Sequence, residues 1–281
     1  MKKQLVKSVF LLLACISLAE EPKLLSLKPV TGMIRADLYS VETVSNPKAV
    51  IVLSPGCNGN GAGLVGDPQW QVFAKHQQMG LVGLSFASEI NNLQNGTGYY
   101  YVTNGSGRLL LDGIRKLFGH DLPLVLYGFS GGAQFASRFV EWEPKRIITW
   151  CAYSAGWWDE PRSSIVTPPG IIACGEKDER LGASLIYFKQ GRAKGRPWLW
   201  ISIPNNGHSP DGRVESFVRD YFAEILKAGT NVKSNRSGIW LDIDTKVEVE
   251  RIFAEKYPSV TAWLPNAELL GRWQSLYKPQ Q

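Results

Sequence analysis

Six short apolar runs rich in β-branched residues recur along the middle of the chain. They lie at 48–54 (KAVIVLS), 80–86 (GLVGLSF), 123–127 (PLVLY), 147–153 (IITWCAY), 170–174 (GIIAC) and 198–203 (WLWISI). Each is short and almost continuously apolar, which predicts strands buried on both faces. Helix-like stretches at 68–78, 107–118, 131–142, 181–191 and 211–228 separate them. The last carries Val214, Phe217, Val218, Tyr221, Phe222 and Ile225 on one helical face, with Gly229 as its C-cap. Buried strands alternating with helices predict an α/β fold, a mostly parallel sheet with helices on both faces. Segment 33–43 (MIRADLYSVET) alternates apolar and polar positions instead, and reads as an antiparallel edge strand.

Two regions depart from this pattern. Segment 88–106 is a polar, Gly/Asn-rich loop carrying Tyr99, Tyr100 and Tyr101. Residues 229–281 carry Trp240, Trp263 and Trp273 and are too aromatic for a disordered tail. They are expected to wrap back onto the domain, with short helices near 245–256 and 267–276. No internal repeat or long linker interrupts the chain, so one domain at 20–228 followed by a C-terminal, aromatic-rich extension at 229–281 is the reading.

The N-terminus changes the meaning of the charge. Lys2, Lys3 and Lys7 precede a short apolar stretch, and Ser17-Leu18-Ala19 ends it with small residues two apart. That is the layout of a secretory signal peptide over residues 1–19, so the chain is expected to be exported. Leu12-Leu13-Ala14-Cys15 also resembles a bacterial lipobox, which makes a lipid anchor at Cys15 the alternative. Without the three lysines, the 31 basic residues become 28 against 25 acidic ones, and the net charge falls from +6 to +3. No block of like charge remains, so nucleic acid is not an expected partner. No apolar run reaches the ~20 residues of a membrane span. Of the four cysteines, Cys151 and Cys174 fall on strands expected to be neighbours. Two buried free thiols are the expectation and a disulfide the alternative.

The chemistry centres on Gly128-Phe129-Ser130-Gly131-Gly132, a G-x-S-x-G pattern with a strand entering and a helix leaving. In that context the serine stands on a sharp turn at the sheet's C-terminal edge, and the helix N-terminus adds partial positive charge beside it. A serine hydroxyl needs a base, and the base needs an orienting group. The chain has three histidines. Only His208, in the loop after the last strand, satisfies both the order Ser–acid–His and the correct edge of the sheet. His76 and His120 read as surface or packing residues. The acid is assigned to Asp178 in Gly175-Glu176-Lys177-Asp178-Glu179, with Glu176 and Glu179 as local alternatives. The oxyanion donors are expected to be the backbone N–H groups of Gly131 and of Cys57, in the Gly-rich loop after 48–54.

These residues make the chain resemble the α/β-hydrolase superfamily over about 33–228. The Pro-Gly-Cys-x-x-x-Gly loop and the Gly-Phe-Ser-Gly-Gly turn are most similar to secreted polyhydroxybutyrate depolymerases, feruloyl esterases and dienelactone hydrolases. The resemblance implies about eight strands, a triad on Ser130, Asp178 and His208, oxyanion donors on Cys57 and Gly131, and neither metal nor organic cofactor. Pro55-Gly56 stands where that family usually has His-Gly. The implied function is a serine hydrolase acting on a small or polymeric carboxylic ester. Acyltransferase, serine peptidase and non-catalytic carbohydrate- or surface-binding protein are the alternatives. Trp157, Trp158 and Tyr100 are candidate substrate contacts, with core or cap packing the competing reading for each.

Overall fold

The computed structural model describes residues 20–162, 164–229 and 238–278. The expected export signal, with Cys15, lies outside them. The chain enters through β1 (Lys23–Ser26), β2 (Arg35–Val41) and β3 (Ala49–Ser54). Helices α1 (Ala62–Val65) and α2 (Pro68–His76) lead to β4 (Met79–Ala87), and α3 (Ile90–Gln94) and α4 (Ser106–Phe118) precede β5 (Leu124–Phe129). Then come α5 (Gly131–Trp142), β6 (Ile147–Tyr153), β7 (Gly170–Gly175), α6 (Leu181–Ala193), β8 (Trp198–Ile203) and α7 (Gly212–Ala228).

The eight strands form one sheet in the order β1-β2-β4-β3-β5-β6-β7-β8. From β4 through β8 neighbours run parallel, while β1 and β2 are antiparallel additions. β3, β4 and β7 are buried along their whole length, which explains their lack of polar alternation. Chain order reverses at β3, since β4 lies on one side of it and β5 on the other. A crevice opens beyond the carboxyl ends of the strands at such a switch point. The loops after β3 and β5 therefore flank the same opening, with Ser54 opposite Gly128 in the register.

Segment 33–43 forms β2, antiparallel to β4 as its alternation predicts, but it is not the edge. β1 pairs along its outer side, Lys23 opposite Ser40 and Ser26 opposite Asp37. Four mostly exposed residues carry too little periodicity to announce a strand. Cys151 and Cys174 are both buried and free. Cys151 pairs with Ile171, which leaves Cys174 three positions further along β7 and out of disulfide reach.

Beyond α7 the described residues 238–278 contain a second, unanticipated sheet. It is antiparallel, in the order β10-β9-β11, from β9 (Ile239–Asp242), β10 (Glu248–Val249) and β11 (Thr261–Leu264). The helix expected near 245–256 is confined to α8 (Arg251–Lys256), because residues 248–249 pair with β9 instead. A 3-10 turn, Ala267–Leu269, leads into α9 (Leu270–Ser275). Trp240, Trp263 and Trp273 are all buried. Trp273 Nε1 and the Tyr277 hydroxyl donate to the Trp200 carbonyl at 3.0 and 3.2 Å, and Arg192 Nε donates to the Thr261 carbonyl at 2.8 Å. Residues 238–278 thereby cover β8, whose outer edge would otherwise expose unpaired backbone groups.

Truncating the fully buried Trp273 removes both this cover and an aromatic side chain from the core. Trp273→Ala is expected to lower unfolding free energy by about 3–5 kcal/mol, measured by urea denaturation. A loss below about 1 kcal/mol would show that the segment packs without supporting the sheet.

Candidate active site

Ser130 closes β5 and opens α5 with φ 53° and ψ −114°, a region that non-glycine residues seldom adopt. Neighbouring backbone holds it there. Its N–H donates to the Tyr153 carbonyl at 2.8 Å, and its carbonyl accepts the N–H groups of Ala133 and Gln134 at 3.0 and 3.2 Å. The glycines around it are sterically required. A Cβ on Gly128 would lie 2.2 Å from the Gly132 carbonyl oxygen, and one on Gly132 would lie 2.2 Å from that of Ser54. The tight turn needs both, and it lifts the Ser130 hydroxyl above the sheet.

His208 Nε2 lies 2.9 Å from Ser130 Oγ, and His208 Nδ1 lies 2.7 Å from Asp178 Oδ2. All three residues therefore come from different strand ends to one hydrogen-bonded chain. The register pairing Gly175 with Ile203 sets the Asp178 and His208 loops side by side. Backbone bonds then tie the loops together, Glu176 N–H to the Ile203 carbonyl and Lys177 N–H to the Asn206 carbonyl, at 3.0 and 2.8 Å. The imidazole also rests on the Phe129 ring, centroids 5.0 Å apart.

The Asp178 side chain is fully buried, and its other oxygen, Oδ1, accepts from the Arg180 backbone N–H and from Arg180 Nη1, each at 3.1 Å. Burial pushes this carboxyl up. Hydrogen bonds from His208, the Arg180 backbone, Ser154 and the Arg180 guanidinium outweigh burial and hold it at about 2. An ionised carboxylate only accepts, so His208 Nδ1 donates to it, and in the neutral imidazole Nε2 is then the acceptor that faces the Ser130 hydroxyl. Glu176 and Glu179, the alternative acids, are exposed. Glu179 pairs with Arg180 at 3.0 Å. His76 and His120 are exposed and precede β4 and β5, so they lie at the opposite edge of the sheet.

Cys57 and Gly131 face each other across the opening, and a Cβ on Gly131 would come within 2.9 Å of Cys57 Cα. Neither backbone N–H donates to an acceptor among the described residues. Two free donors beside a hydroxyl make a site for developing negative charge on oxygen. Side chains that the sequence did not single out fix the Cys57 loop. Arg35 Nη2 donates to the carbonyls of Asn58 and Gly59 at 2.7 and 2.8 Å. The Asn58 amide makes a reciprocal pair with the Ser88 backbone at 2.9 and 3.0 Å. Asn58 itself has φ 55°, which Asn tolerates better than most residues, and its place just after Pro-Gly-Cys was the available sign. Tyr153 is a further unforeseen support. Its carbonyl holds Ser130, while its hydroxyl donates to the Ser209 carbonyl and accepts from Asn206 Nδ2, both at 3.1 Å.

A cleft of about 460 Å³ opens over Ser130, with Cys57 and Tyr100 on one wall and Gln134, Trp157 and Arg180 on the other. The Gln134 amide oxygen, turned toward donors, accepts the N–H groups of Gly156 and Trp157 at 3.1 and 3.0 Å and so shapes that wall. Trp157 is 56% exposed. Trp158 departs from the expectation that it contacts substrate. Its ring stacks on Tyr187 at 4.2 Å and its Nε1 donates to Ser184 Oγ at 3.2 Å, so α6 holds it away from the cleft. Among the described residues, no group of three or more His, Cys, Asp or Glu side chains is placed to hold a metal ion.

No family model matches the chain, and no curated protein matches it in sequence. Solved structures do match. A poly(3-hydroxybutyrate) depolymerase from Bordetella parapertussis is similar at TM-score 0.54 and 16% identity, over 74% of this chain and 94% of that one. An S-formylglutathione hydrolase from Agrobacterium tumefaciens is similar at TM-score 0.56 and 14% identity, over 75% and 96%. Poly(aspartic acid) hydrolase-1 from Sphingomonas sp. KT-1 is similar at TM-score 0.53 and 18% identity, over 72% and 98%. The chain has the α/β-hydrolase fold. In an α/β-hydrolase sheet the turn after β5, the loop after β7 and the loop after β8 share one edge, as Ser130, Asp178 and His208 do here.

The buried Asp178 links stability to pH. Its carboxyl is lower in the folded chain than its ordinary 3.8, so its ionised form stabilises the fold fully above about pH 4. That contribution, about 2 kcal/mol, is lost as pH falls through about 2. Urea denaturation from about pH 5 to pH 2 is expected to show the wild-type chain losing this amount relative to Asp178→Asn. Parallel curves would show that ionised Asp178 does not stabilise the fold.

Proposed function

We propose that the chain is an exported serine hydrolase that cleaves carboxylic esters. The observation that carries this reading is the hydrogen-bonded chain Asp178–His208–Ser130, at 2.7 and 2.9 Å, ending beneath an open cleft. That the similar folds include hydrolases and an esterase from Pyrobaculum calidifontis supports it. Export rests on the pattern of residues 1–19, with lipidation at Cys15 as its variant.

In this mechanism Ser130 Oγ attacks the ester carbonyl as His208 Nε2 takes its proton. Asp178 keeps the Nδ1–H tautomer and stabilises the imidazolium that forms. The carbonyl oxygen becomes an oxyanion held by the Cys57 and Gly131 N–H groups, each worth about 2.7–4 kcal/mol in the transition state. When the tetrahedral intermediate collapses, His208 returns the proton to the departing alcohol, leaving the acyl group on Ser130. Water, deprotonated by the same His208, attacks the acyl-enzyme, and the acid leaves as Ser130 regains its proton. An acyl acceptor other than water would use the same residues, so product analysis with added alcohols separates hydrolase from transferase. A purely binding role gives no reason for a buried ionised acid aligned through an imidazole to a serine.

A fluorophosphonate probe is expected to label the wild-type chain on Ser130. Ser130→Ala is expected to lose the label and to hydrolyse p-nitrophenyl esters at least about 10⁴-fold more slowly. An unlabelled wild-type chain, or a Ser130→Ala variant of equal activity, would sink the proposal. A panel of acetyl, feruloyl and hydroxybutyrate esters then identifies the acyl group.

A further inference from the structure

The esterase mechanism above uses two backbone donors for the oxyanion, and the structure puts a side-chain hydroxyl beside the two residues that carry them. A Cβ on Gly131 would lie 2.8 Å from Tyr100 Cε1 and 2.8 Å from Tyr100 Oη, as well as 2.9 Å from Cys57 Cα. The bare α-carbon of Gly131 is what lets the phenol edge reach the backbone there. Tyr100 Oη is thus in contact with the residue that carries one donor and close beside the residue that carries the other. The ring is 3% exposed and packs edge-on against Tyr99 with centroids 4.5 Å apart, so its position is held by the core. Yet Tyr100 also lines the cleft over Ser130. Hydrogen bonds join its hydroxyl to the Tyr99 and Cys57 side chains, and Tyr99 Oη also accepts the Asn58 N–H at 3.3 Å.

We propose that the Tyr100 hydroxyl is a third donor to the oxyanion, added by a side chain to the backbone N–H groups of Cys57 and Gly131. This rests on the esterase reading, since it assigns a role in that reaction. The phenol is suited to it. Burial first, and then the neighbouring Tyr99 and Cys57, raise its proton affinity, so it stays protonated through the neutral and mildly alkaline range. A rigid, water-poor donor needs little reorganisation when charge develops, which is why such groups favour the transition state over the bound ester. The alternative role, a wall that only shapes the acyl pocket, depends on the ring and not on the hydroxyl.

Tyr100→Phe separates the two, because it keeps the ring and removes only the oxygen. With p-nitrophenyl acetate, kcat is expected to fall about 100-fold at nearly unchanged KM. The inhibition constant of a trifluoromethyl ketone, whose hemiketal on Ser130 carries an oxyanion at the same place, is expected to rise by a similar factor. The thermal midpoint is expected to stay close to that of the wild-type chain, which guards against a folding artefact. Activity and inhibition within twofold of wild type would overturn the assignment. So would a change confined to KM. If the wild-type chain neither labels with fluorophosphonate nor turns over the ester, the esterase reading fails and this role fails with it. A labelled, active wild type with an unaffected Tyr100→Phe overturns the Tyr100 role alone.

Discussion

Ser130 occupies a backbone conformation that costs on the order of 1–3 kcal/mol, and the contact of bare backbone at Gly128, Gly132 and Ser54 is what makes it affordable. β3, β5 and the start of α5 come so close that no Cβ fits between them. That approach binds the turn to the switch point of the sheet, so the serine and the Cys57 loop meet by construction. The helix leaving the turn has free N–H groups at its start, beside Ser130. Strain, donors and crevice are therefore one feature. Loosening the glycine contacts would release all three together.

The rest of the candidate site extends this arrangement sideways along the sheet. Tyr153 on β6 links Ser130 to the His208 loop, and backbone bonds link that loop to the one carrying Asp178. His208 follows β8, an edge strand of the sheet. Residues 238–278 cover that edge through Trp273, Tyr277 and Arg192. The aromatic residues of this segment thus stabilise the strand from which the candidate base is presented, although none of them lines the cleft. Charge follows the same economy. Asp178 is buried without becoming protonated because four hydrogen bonds compensate its lost hydration.

Much of the fold was legible because its signals are local. Continuous apolar runs marked β3 to β8, and helical periodicity located the ends of α5 and α7 to within one residue. Weak periodicity hid β1 and β9 to β11. These strands have two to four residues and form only because a neighbour supplies their partners. The site was similarly divided. Ser130 was marked by its glycines, and His208 by scarcity and chain order. Asn58 had only its place after Pro-Gly-Cys as a sign, and Arg35, Gln134 and Arg180 carried no local mark, since each acts by reaching a residue distant in sequence or by closing a loop.

By itself the sequence determined the strand–helix alternation, the turn able to expose a serine, and the order Ser130, Asp178, His208. These follow from steric and hydrophobic rules that operate over a few residues. Only the tertiary structure decided which aromatic groups face the cleft. Trp157 and Trp158 are adjacent and chemically identical, yet one lines the opening and the other stacks on Tyr187. Tyr99 and Tyr100 divide in the same way, one bracing the Asn58 loop and the other meeting Gly131. The physical reason is that a loop side chain takes its direction from whatever packs against it, and here those partners come from helices and loops far away in sequence.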